Sequence, residues 1–179
     1  MKYYRYSDTE INKILKTMVI LCDTREQVNI HIKGYLDKKG IAFQDKALNF
    51  GDYSVMIPAY PEMGILRPLF FDKSIVIERK GSLEELSGNL TKGRERFKDE
   101  FTRASQAEVH LMIEGKGYTD IINHNYNTLF NEKAFMASLF SLQCEYGFKL
   151  SFVEPVHSGL YIYWVFYYYI RNTLLKGNY

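Results

Sequence analysis

The sequence predicts an α/β protein in which a mixed sheet is covered by helices on both faces. Short apolar runs alternate along the chain with amphipathic segments of helical length, and this alternation is typical of such a sheet. The 179 residues are enough for one domain with a substantial core. Hydrophobic residues make up 46% of the chain and charged residues 25%, as expected of a globular protein.

Strands are predicted in seven short segments. They lie at residues 18–23, 41–48, 49–58, 69–71, 74–80, 108–115 and 148–155. Pro155 ends the last of them because proline has no amide to donate to a sheet. Residues 58–68 hold three prolines and are interpreted as the loop of a hairpin.

Helices are predicted between these strands. They lie at residues 27–39, 82–90, 93–104, 131–147 and 158–175. One side of the first helix is expected to carry Val28, Ile32, Tyr35 and Leu36. Gly40 then ends this helix.

Two local patterns refine this scheme. Ser82 and Glu85 fit a capping box, in which the hydroxyl and the carboxylate each accept from an unpaired amide at the start of a helix. Residues 1–16 are polar and predict an arm or a short helix. The expected organisation is one domain over residues 1–179, with an N-terminal arm at 1–17 and a core at 18–175.

Composition excludes several classes of protein. The net charge of +2 is too small to indicate nucleic-acid binding by itself, so any basic surface must be local. Cys22 and Cys144 have no metal-like spacing and suit a reducing compartment. The N-terminal residues lack the apolar core of a signal peptide. The apolar tail, LYIYWVFYYYI, is shorter than the roughly 20 residues that a membrane span needs. We therefore expect a cytoplasmic protein that is not bound to a membrane.

A possible site lies at the end of the strand predicted over residues 74–80. Because side chains alternate along a strand, Glu78 and Lys80 share one face and Arg79 points to the other. The Glu78 carboxylate can offer oxygen to a hard cation such as Mg²⁺. The Lys80 ammonium can stabilise developing negative charge or orient an attacking hydroxide.

Two further acids follow earlier strands. Asp23 ends the first strand, and Asp52 stands in a Gly-Asp pair before the third. The order Asp52, then Glu78-x-Lys80, is the D…(D/E)xK pattern of metal-dependent nucleases. Alternatively, Glu78 and Lys80 form an exposed ion pair, which would contribute at most about 1 kcal/mol.

The neighbouring residues make the pattern more specific. Residues 20–26 are ILCDTRE, 51–53 are GDY and 75–80 are IVIERK, followed by NLTKGRERFKDE and VHLMIEG. In this order the chain resembles, over residues 18–175, the nuclease domain of the XPF family of structure-specific DNA endonucleases. That family has the signature GD…ERKxxxD on a restriction-endonuclease-like fold, which is a PD-(D/E)xK mixed central sheet flanked by helices.

The resemblance implies roles for individual residues. Asp23, Asp52 and Glu78 are the expected metal ligands, and Lys80 is the expected catalytic lysine. Arg79, the central residue of the ERK segment, joins them in the expected catalytic set. The implied cofactor is one or two Mg²⁺, for which Mn²⁺ should substitute because it is also a hard cation.

Other positions either are expected to support the site or differ from the family signature. The resemblance implies that Arg25 and Glu26 brace the site, and we include Arg25 among the DNA contacts. The family signature asks for Asp at position 84, where this chain has Glu84, so we place Glu84 outside the ligand set. The helix-hairpin-helix module that often follows this domain is absent from these residues, and DNA would be gripped by the nuclease domain or a partner.

The basic helix over 93–104 has two interpretations. Phe97 and Phe101 are four residues apart and are expected to bury together. The basic side chains then form either a solvated face with pairs such as Arg96–Glu100, or a set of phosphate contacts beside the site. For the second interpretation the candidates are Lys92, Arg94 and Arg103.

The expected activity is Mg²⁺-dependent hydrolysis of phosphodiester bonds in branched or flapped DNA, in repair or recombination. One alternative is a nuclease for foreign or recombination-intermediate DNA. Another is a DNA-binding scaffold without turnover, although a scaffold would be free to lose the acids that this chain retains. No small-molecule substrate is expected, and a bacterial or phage origin is compatible with the lack of targeting signals.

A homodimer through the C-terminal helix is expected as well. Aromatic residues from Tyr161 to Tyr169 surround that helix in greater number than one core stripe can use. Such an excess is typical of a subunit interface, and the resemblance implies pairing through the same region.

Overall fold

The structure is a computed structural model that describes residues 6–177, and a mixed sheet lies at its centre. Within these residues the sheet has seven strands, β1 (Val19–Cys22), β2 (Phe43–Asp45), β3 (Tyr53–Ile57), β4 (Leu69–Phe70), β5 (Ile75–Lys80), β6 (Glu108–Glu114) and β7 (Lys149–Val153). Their spatial order is β2-β1-β3-β5-β6-β7, and β4 pairs with β3.

Strand direction changes at the middle of the sheet. Strand β3 is antiparallel to β1 and to β5, whereas β5, β6 and β7 are parallel to one another and β1 is parallel to β2. The predicted mixed α/β sheet is therefore confirmed.

Helices cover both faces. They are α1 (Asp8–Leu15), α2 (Ile30–Lys38), α3 (Leu83–Leu90), α4 (Arg94–Arg103), α5 (Tyr118–Ile122), α6 (Glu132–Tyr146) and α7 (Ser158–Lys176). One buried cluster joins α1, α2 and α7 to the sheet, and a second joins the other four helices to its opposite face. The short α5 was not predicted, and its five residues are too few to show a helical period.

The N-terminal segment is a helix rather than a free arm. In α1, the Ser7 hydroxyl accepts from the amide of Glu10, whose carboxylate accepts from the Ser7 amide, so a capping box starts the helix. Ile11, Ile14 and Leu15 are buried in the first cluster. Residues 1–5 of the predicted arm lie outside the described residues.

The start of α2 corrects one prediction. Ile32 and Leu36 are buried as expected, but Val28 lies ahead of the helix and is 72% exposed. The Asn29 side chain donates to the carbonyl of Glu26 (2.8 Å), and this local bond competes with helical structure at these residues. The assignment of Val28 to the buried side was wrong.

Helix α7 packs on the sheet through one stripe. Ile162, Phe166, Ile170 and Leu174 follow one another at four-residue intervals, and all are fully buried. No helix among residues 6–177 combines the length and the apolar character that crossing a membrane would require.

Gly51 fixes the start of β3. Its φ of +73° lies in the left-handed region, and a Cβ placed on it would stand 2.8 Å from Cβ of Val76. The next amide, of Asp52, donates to the carbonyl of Ile77 (2.9 Å). Glycine therefore lets β3 approach β5 closely enough to bring Asp52 to the end of β5.

We predict that Gly51→Ala destabilises the fold by roughly 2–4 kcal/mol, because left-handed strain and the overlap with Val76 both oppose it. Gly40→Ala is the matched control, since Gly40 has a φ of +64° but open space around the added Cβ. In Gly40→Ala, left-handed strain alone should lower the free energy of unfolding by about 1–2 kcal/mol. Urea unfolding of both variants measures the difference, and equal losses would contradict this view of Gly51.

Candidate active site

Three acidic residues lie on adjacent strands because of the sheet register. The Asp23 amide, just after β1, donates to the carbonyl of Asp52 (2.7 Å). Asp52 in turn precedes β3, whose first residue pairs with Ile77 of β5. Glu78 is the next residue of β5, so the sheet brings Asp23, Asp52 and Glu78 together near the ends of three adjacent strands.

Glu78 and Lys80 form a close and largely buried ion pair. Nζ of Lys80 lies 2.7 Å from Oε1 of Glu78, with side-chain exposures of 8% and 15%. The alternative of an exposed surface pair is therefore wrong. Burial by itself lowers the pKa of Lys80, but the charges of Glu78, Asp52 and Glu85 outweigh it and the pKa is raised. The neighbouring carboxylates therefore favour the charged form of Lys80.

The Lys80 ammonium also lies close to an aromatic ring and to the start of a helix. Nζ of Lys80 lies 5.2 Å from the ring centroid of Phe97 in α4 and 3.6 Å from Oε1 of Glu85. The Glu85 carboxylate accepts from the amide of Gly81, while the Ser82 hydroxyl accepts from the amide of Glu85. The predicted capping box is therefore half right, because Glu85 caps Gly81 and not Ser82.

Asp52 is held by one backbone amide and faces a like charge. Its Oδ2 accepts from the amide of Arg79 (2.7 Å). Burial, and then the charge of Glu78, raise the pKa of Asp52 well above its usual range. A carboxylate whose pKa is raised by burial and by a neighbouring carboxylate favours a cation beside it. Mg²⁺ is commonly bound by one or two carboxylates plus water and phosphate oxygens, so this donor set fits it.

Asp23 is not placed as a metal ligand, although the resemblance implied it. Its Oδ1 accepts from the amide and Nε of Arg25, and its Oδ2 accepts from Nη2 of Arg25 and the amide of Leu48. These four bonds use the acceptor capacity of a carboxylate. Burial would raise the pKa of Asp23, but these bonds outweigh it and the pKa is lowered.

The ligand set is correspondingly smaller than predicted. Among residues 6–177, no three His, Cys, Asp or Glu side chains are grouped closely enough to hold a metal ion. Of the three predicted acids, Asp23 is occupied by its own hydrogen bonds, and we retain Asp52 and Glu78 as the candidate ligands. Asp23 instead fixes the loop that follows β1.

Arg79 lies on the opposite face of β5 from Glu78 and Lys80. Its buried guanidinium donates to Glu114 of β6 (2.5 Å) and to Glu26 (3.3 Å). The structure thus separates this guanidinium from the expected catalytic set. Arg79 is a positioning residue, because its side chain is anchored below the sheet while its amide holds Asp52.

Glu114 is a buried acid of this arrangement that the sequence analysis did not identify. Besides Arg79, it accepts from Oγ of Ser158 (2.5 Å) and contacts Nε2 of His31 (2.7 Å). Burial would raise the pKa of Glu114, but its partners outweigh this and the pKa is lowered. The available signal was an acid at the end of an apolar strand, as in the case of Asp23.

The remaining predicted residues lie around this centre. Arg25 binds Asp23 and the carbonyl of Leu48, and its side chain is 66% exposed. Glu26 binds Arg79, so both members of the RE pair brace the site. Glu84 accepts from the amide of Asn127 (2.9 Å), which agrees with its exclusion from the ligands.

Helix α4 has the two predicted sides, one with buried phenylalanines and one with charged residues. Phe97 and Phe101 are buried together, with ring centroids 4.7 Å apart, and Arg96 lies 3.6 Å from Glu100 as predicted. Glu100 was not anticipated near the site. It lines a cavity of about 10 Å³ with Glu78, and burial followed by the charge of Glu78 raises its pKa.

The DNA contacts predicted on the basic helix lie at or near the two ends of α4, whereas Arg25 lies after β1. Lys92 and Arg103 are exposed, and Arg94 is half-buried. Arg103 lines a cleft of about 500 Å³ with Lys73 and Phe50, and Phe50 also borders the cavity beside Glu78.

Comparison with known proteins identifies relatives of this arrangement. A family model described as the ERCC4 domain matches residues 22–163. The structure of XPF from Aeropyrum pernix is similar with a TM-score of 0.59 and 21% identity, over 83% of this chain and 59% of that one. The structure of XPF from Aeropyrum pernix in complex with DNA is similar with a TM-score of 0.57 and 21% identity. That match covers 88% of this chain and 65% of the XPF chain.

These comparisons also have bounds. The chain spans 59% and 65% of the length of the two XPF chains. No curated protein matches it significantly. The structural matches confirm the predicted restriction-endonuclease-like fold.

We predict that Glu114→Gln destabilises the protein by about 3–5 kcal/mol at pH 7, because the buried Arg79 loses the nearer of its two carboxylate partners. The lowered pKa of Glu114 means that its contribution is complete above the unfolded value of about 4.3 and is lost as the pH falls through the folded value. The difference from the wild type should therefore shrink below about pH 4. Urea unfolding across pH tests this.

Glu62→Gln, at an exposed residue of the 58–68 loop, is the control and should change little at any pH. A Glu114→Gln variant that matched this control at pH 7 would show that the ion pair does not support the site.

Proposed function

Because the chain belongs to the ERCC4 domain family and is an XPF-type nuclease domain, we propose that it is a divalent-metal-dependent endonuclease that cuts branched DNA. The observation that carries this proposal is the pair of Asp52 and Glu78 carboxylates beside the buried Lys80 ammonium. Titratable groups whose pKa is shifted by burial and by a specific charged neighbour, as for Asp52 and Lys80, are typical of functional sites. The DNA complex of XPF from Aeropyrum pernix supports DNA as the substrate class.

Each residue has a role in this chemistry. Asp52 and Glu78 would hold Mg²⁺ or Mn²⁺, which when bound activates water and neutralises charge on the phosphate. Lys80 places a fixed positive charge where negative charge grows on the phosphate oxygens. The Arg79 amide keeps the Asp52 carboxylate in place, so the site does not have to reorganise during the reaction. The Phe97 ring packs against the Lys80 ammonium, with Nζ 5.2 Å from the ring centroid.

The DNA backbone would run along the cleft near α4. Arg103 and Lys73 provide positive charge in this cleft, which meets the cavity beside Glu78 at Phe50. Contacts of this kind position the backbone without reading sequence. Lys92 and Arg94, at the other end of α4, extend the same basic helix.

We predict that Asp52→Asn abolishes cleavage of labelled flap, fork and four-way-junction DNA in Mg²⁺ or Mn²⁺. The variant should stay folded, because it removes one of two partly buried carboxylates that repel each other while keeping an acceptor for the Arg79 amide. Lys80→Met should lower the rate by about 10²–10³-fold, as for the loss of one charge-stabilising group. Thermal unfolding checks the fold of each variant.

Glu84→Gln is the control, because the Glu84 carboxylate accepts from the Asn127 amide and not from Asp52, Glu78 or Lys80, and cleavage should be unchanged. Cleavage that survives Asp52→Asn would refute the site. A wild-type protein that binds these DNAs and cuts none would support the alternative of a scaffold without turnover.

We also propose that a second copy of the chain covers the outer side of α7. Leu160, Trp164 and Tyr168 follow at four-residue intervals and are 37%, 43% and 54% exposed, although the opposite stripe of α7 is fully buried. Trp164 borders a cleft of about 470 Å³ that is lined mainly by apolar side chains. Exposed aromatic stripes of this kind are typical of subunit interfaces.

We predict that Trp164→Glu converts a dimer into a monomer in sedimentation velocity, because it puts a charge at the centre of this stripe. Leu129→Glu is the control, since Leu129 is fully exposed outside α7 and should leave the dimer intact. A wild-type protein that sediments as a monomer at high concentration would exclude this dimer.

A further inference from the structure

Two clefts lie next to each other at the turn that leads into β5. The first is the cleft of Lys73 and Arg103 described above, which meets the cavity beside Glu78 at Phe50. The second has a volume of about 540 Å³ and adjoins the first, because Ser74 in its wall follows Lys73 directly in the chain. The lining of this second cleft, which we call the β4 cleft, comes from the segment around β4 and from α7 and includes Arg67, Phe70, Phe71, Ser74 and Tyr169.

Both clefts carry positive charge without acids. Arg67 and Lys73 are exposed, and so is Arg103. No Asp or Glu of residues 6–177 lines either cleft. The whole chain has 23 Lys and Arg residues and 21 Asp and Glu residues, so cations without acids are a local feature of this surface. Such a local excess of positive charge attracts an anionic ligand.

Phe70 presents an aromatic ring beside these cations. It pairs with Met56 of β3, and because side chains alternate along an extended chain, the next residue, Phe71, points into the core. Phe70 itself is 46% exposed. Nζ of Lys46 lies over its ring, 5.2 Å from the centroid, and is fixed there by Oδ2 of Asp72 at 2.8 Å. The ring is therefore held at the surface between the core and a cation.

These features together fit an unpaired DNA strand better than a duplex or a protein partner. A ring stacks on a base whose face is free, as in single-stranded DNA, and basic side chains beside it bind the phosphates. The centre of a protein interface is depleted of charge, whereas cations flank Phe70 on this surface. A lone exposed ring is common on proteins, and the acid-free cations around this one favour DNA.

The β4 cleft is also near enough to the candidate site for one strand to reach both. Ile75, which follows Ser74, and Glu78 are three residues apart on β5, which is about 10 Å at the rise of a strand. A few nucleotides of DNA span that distance.

We propose that the β4 cleft holds the single-stranded arm of branched or flapped DNA, with Phe70 stacking on a base and Arg67 binding a phosphate. This rests on the proposed function and deepens it, because it assigns the unpaired part of the substrate to a named surface. The arm runs from the cavity beside Glu78 past Lys73 to Phe70. Binding therefore favours DNA with an unpaired arm before any bond is cut.

The test compares two DNAs in EDTA, where no cleavage occurs. One is a nicked duplex, and the other is the same duplex with an arm of about ten thymidines at the nick. By fluorescence anisotropy, wild-type protein should bind the armed DNA at least about fivefold more tightly, as for one base stacked on a ring. Phe70→Ala should remove most of this difference and leave the affinity for the nicked duplex unchanged.

Two variants separate stacking on this ring from a general loss of apolar surface. Phe70→Tyr keeps the ring and should preserve the preference for armed DNA. Phe140→Ala is the matched control, because Phe140 is 44% exposed on α6 and should behave as wild type.

The phosphate contact is tested by the salt dependence of binding. Arg67→Gln should reduce the slope of log affinity against log salt for the armed DNA by about 0.7, as for one contact to a single strand. Lys38→Gln removes the same charge from the last turn of α2 and should leave the slope unchanged. In addition, 5-iodouracil in the arm should crosslink on irradiation to the peptide that contains Phe70.

The proposal is overturned if wild-type protein binds the two DNAs equally well, which would leave the ring for a protein partner. It is also overturned if Phe70→Ala matches Phe140→Ala, or if the arm crosslinks only to peptides outside residues 67–74. Failure of the proposed function looks different. In that case the protein cuts neither DNA in Mg²⁺ or Mn²⁺, while binding in EDTA still reports on the β4 cleft.

Discussion

A single hydrogen bond, from the backbone amide of Arg79 to the side-chain Oδ2 of Asp52, connects the fold to the candidate chemistry. It spans two antiparallel strands that meet at a single residue pair, Tyr53 with Ile77. The close approach of the strands at Gly51 makes this bond possible, and the bond keeps the Asp52 carboxylate next to Glu78. The position of the two acids is therefore a property of the sheet rather than of a flexible loop.

Arg79 serves this arrangement from both sides of the sheet. Its guanidinium is buried between Glu114 and Glu26, and its amide points to the site. A buried arginine with two carboxylate partners is costly to disturb, so it fixes the end of β5 firmly. The site carries unfavourable charge repulsion, because Asp52 and Glu78 repel each other and the single positive charge of Lys80 offsets only one of their two negative charges. Functional sites commonly carry such local tension, which the surrounding structure supports.

Local features of the site could be predicted from the sequence. The features that could not be predicted depend on contacts between residues far apart in the chain. Alternation along β5 correctly put Glu78 and Lys80 on one face and Arg79 on the other. The saturation of Asp23 could not be predicted, because one of its partners is the amide of Leu48, 25 residues away. The role of Glu114 depends on the parallel register of β5 and β6, which local patterns do not specify.

Val28 shows a different kind of limit. Its spacing from Ile32 and Leu36 fits one face of a helix, but the bonds of Asn29 and Glu26 delay the start of that helix. Local hydrogen bonds from polar side chains thus decided the boundary against the hydrophobic period.

The most direct measurement of the central claim is a crystal structure with Mn²⁺, in which anomalous scattering locates the ion. The account predicts one ion bound by Asp52 and Glu78, close to Lys80, while Asp23 keeps its bonds to Arg25 and Leu48. An ion bound by Asp23 without Asp52, or Asp52 and Glu78 turned away from each other around an ordered ion elsewhere, would contradict it.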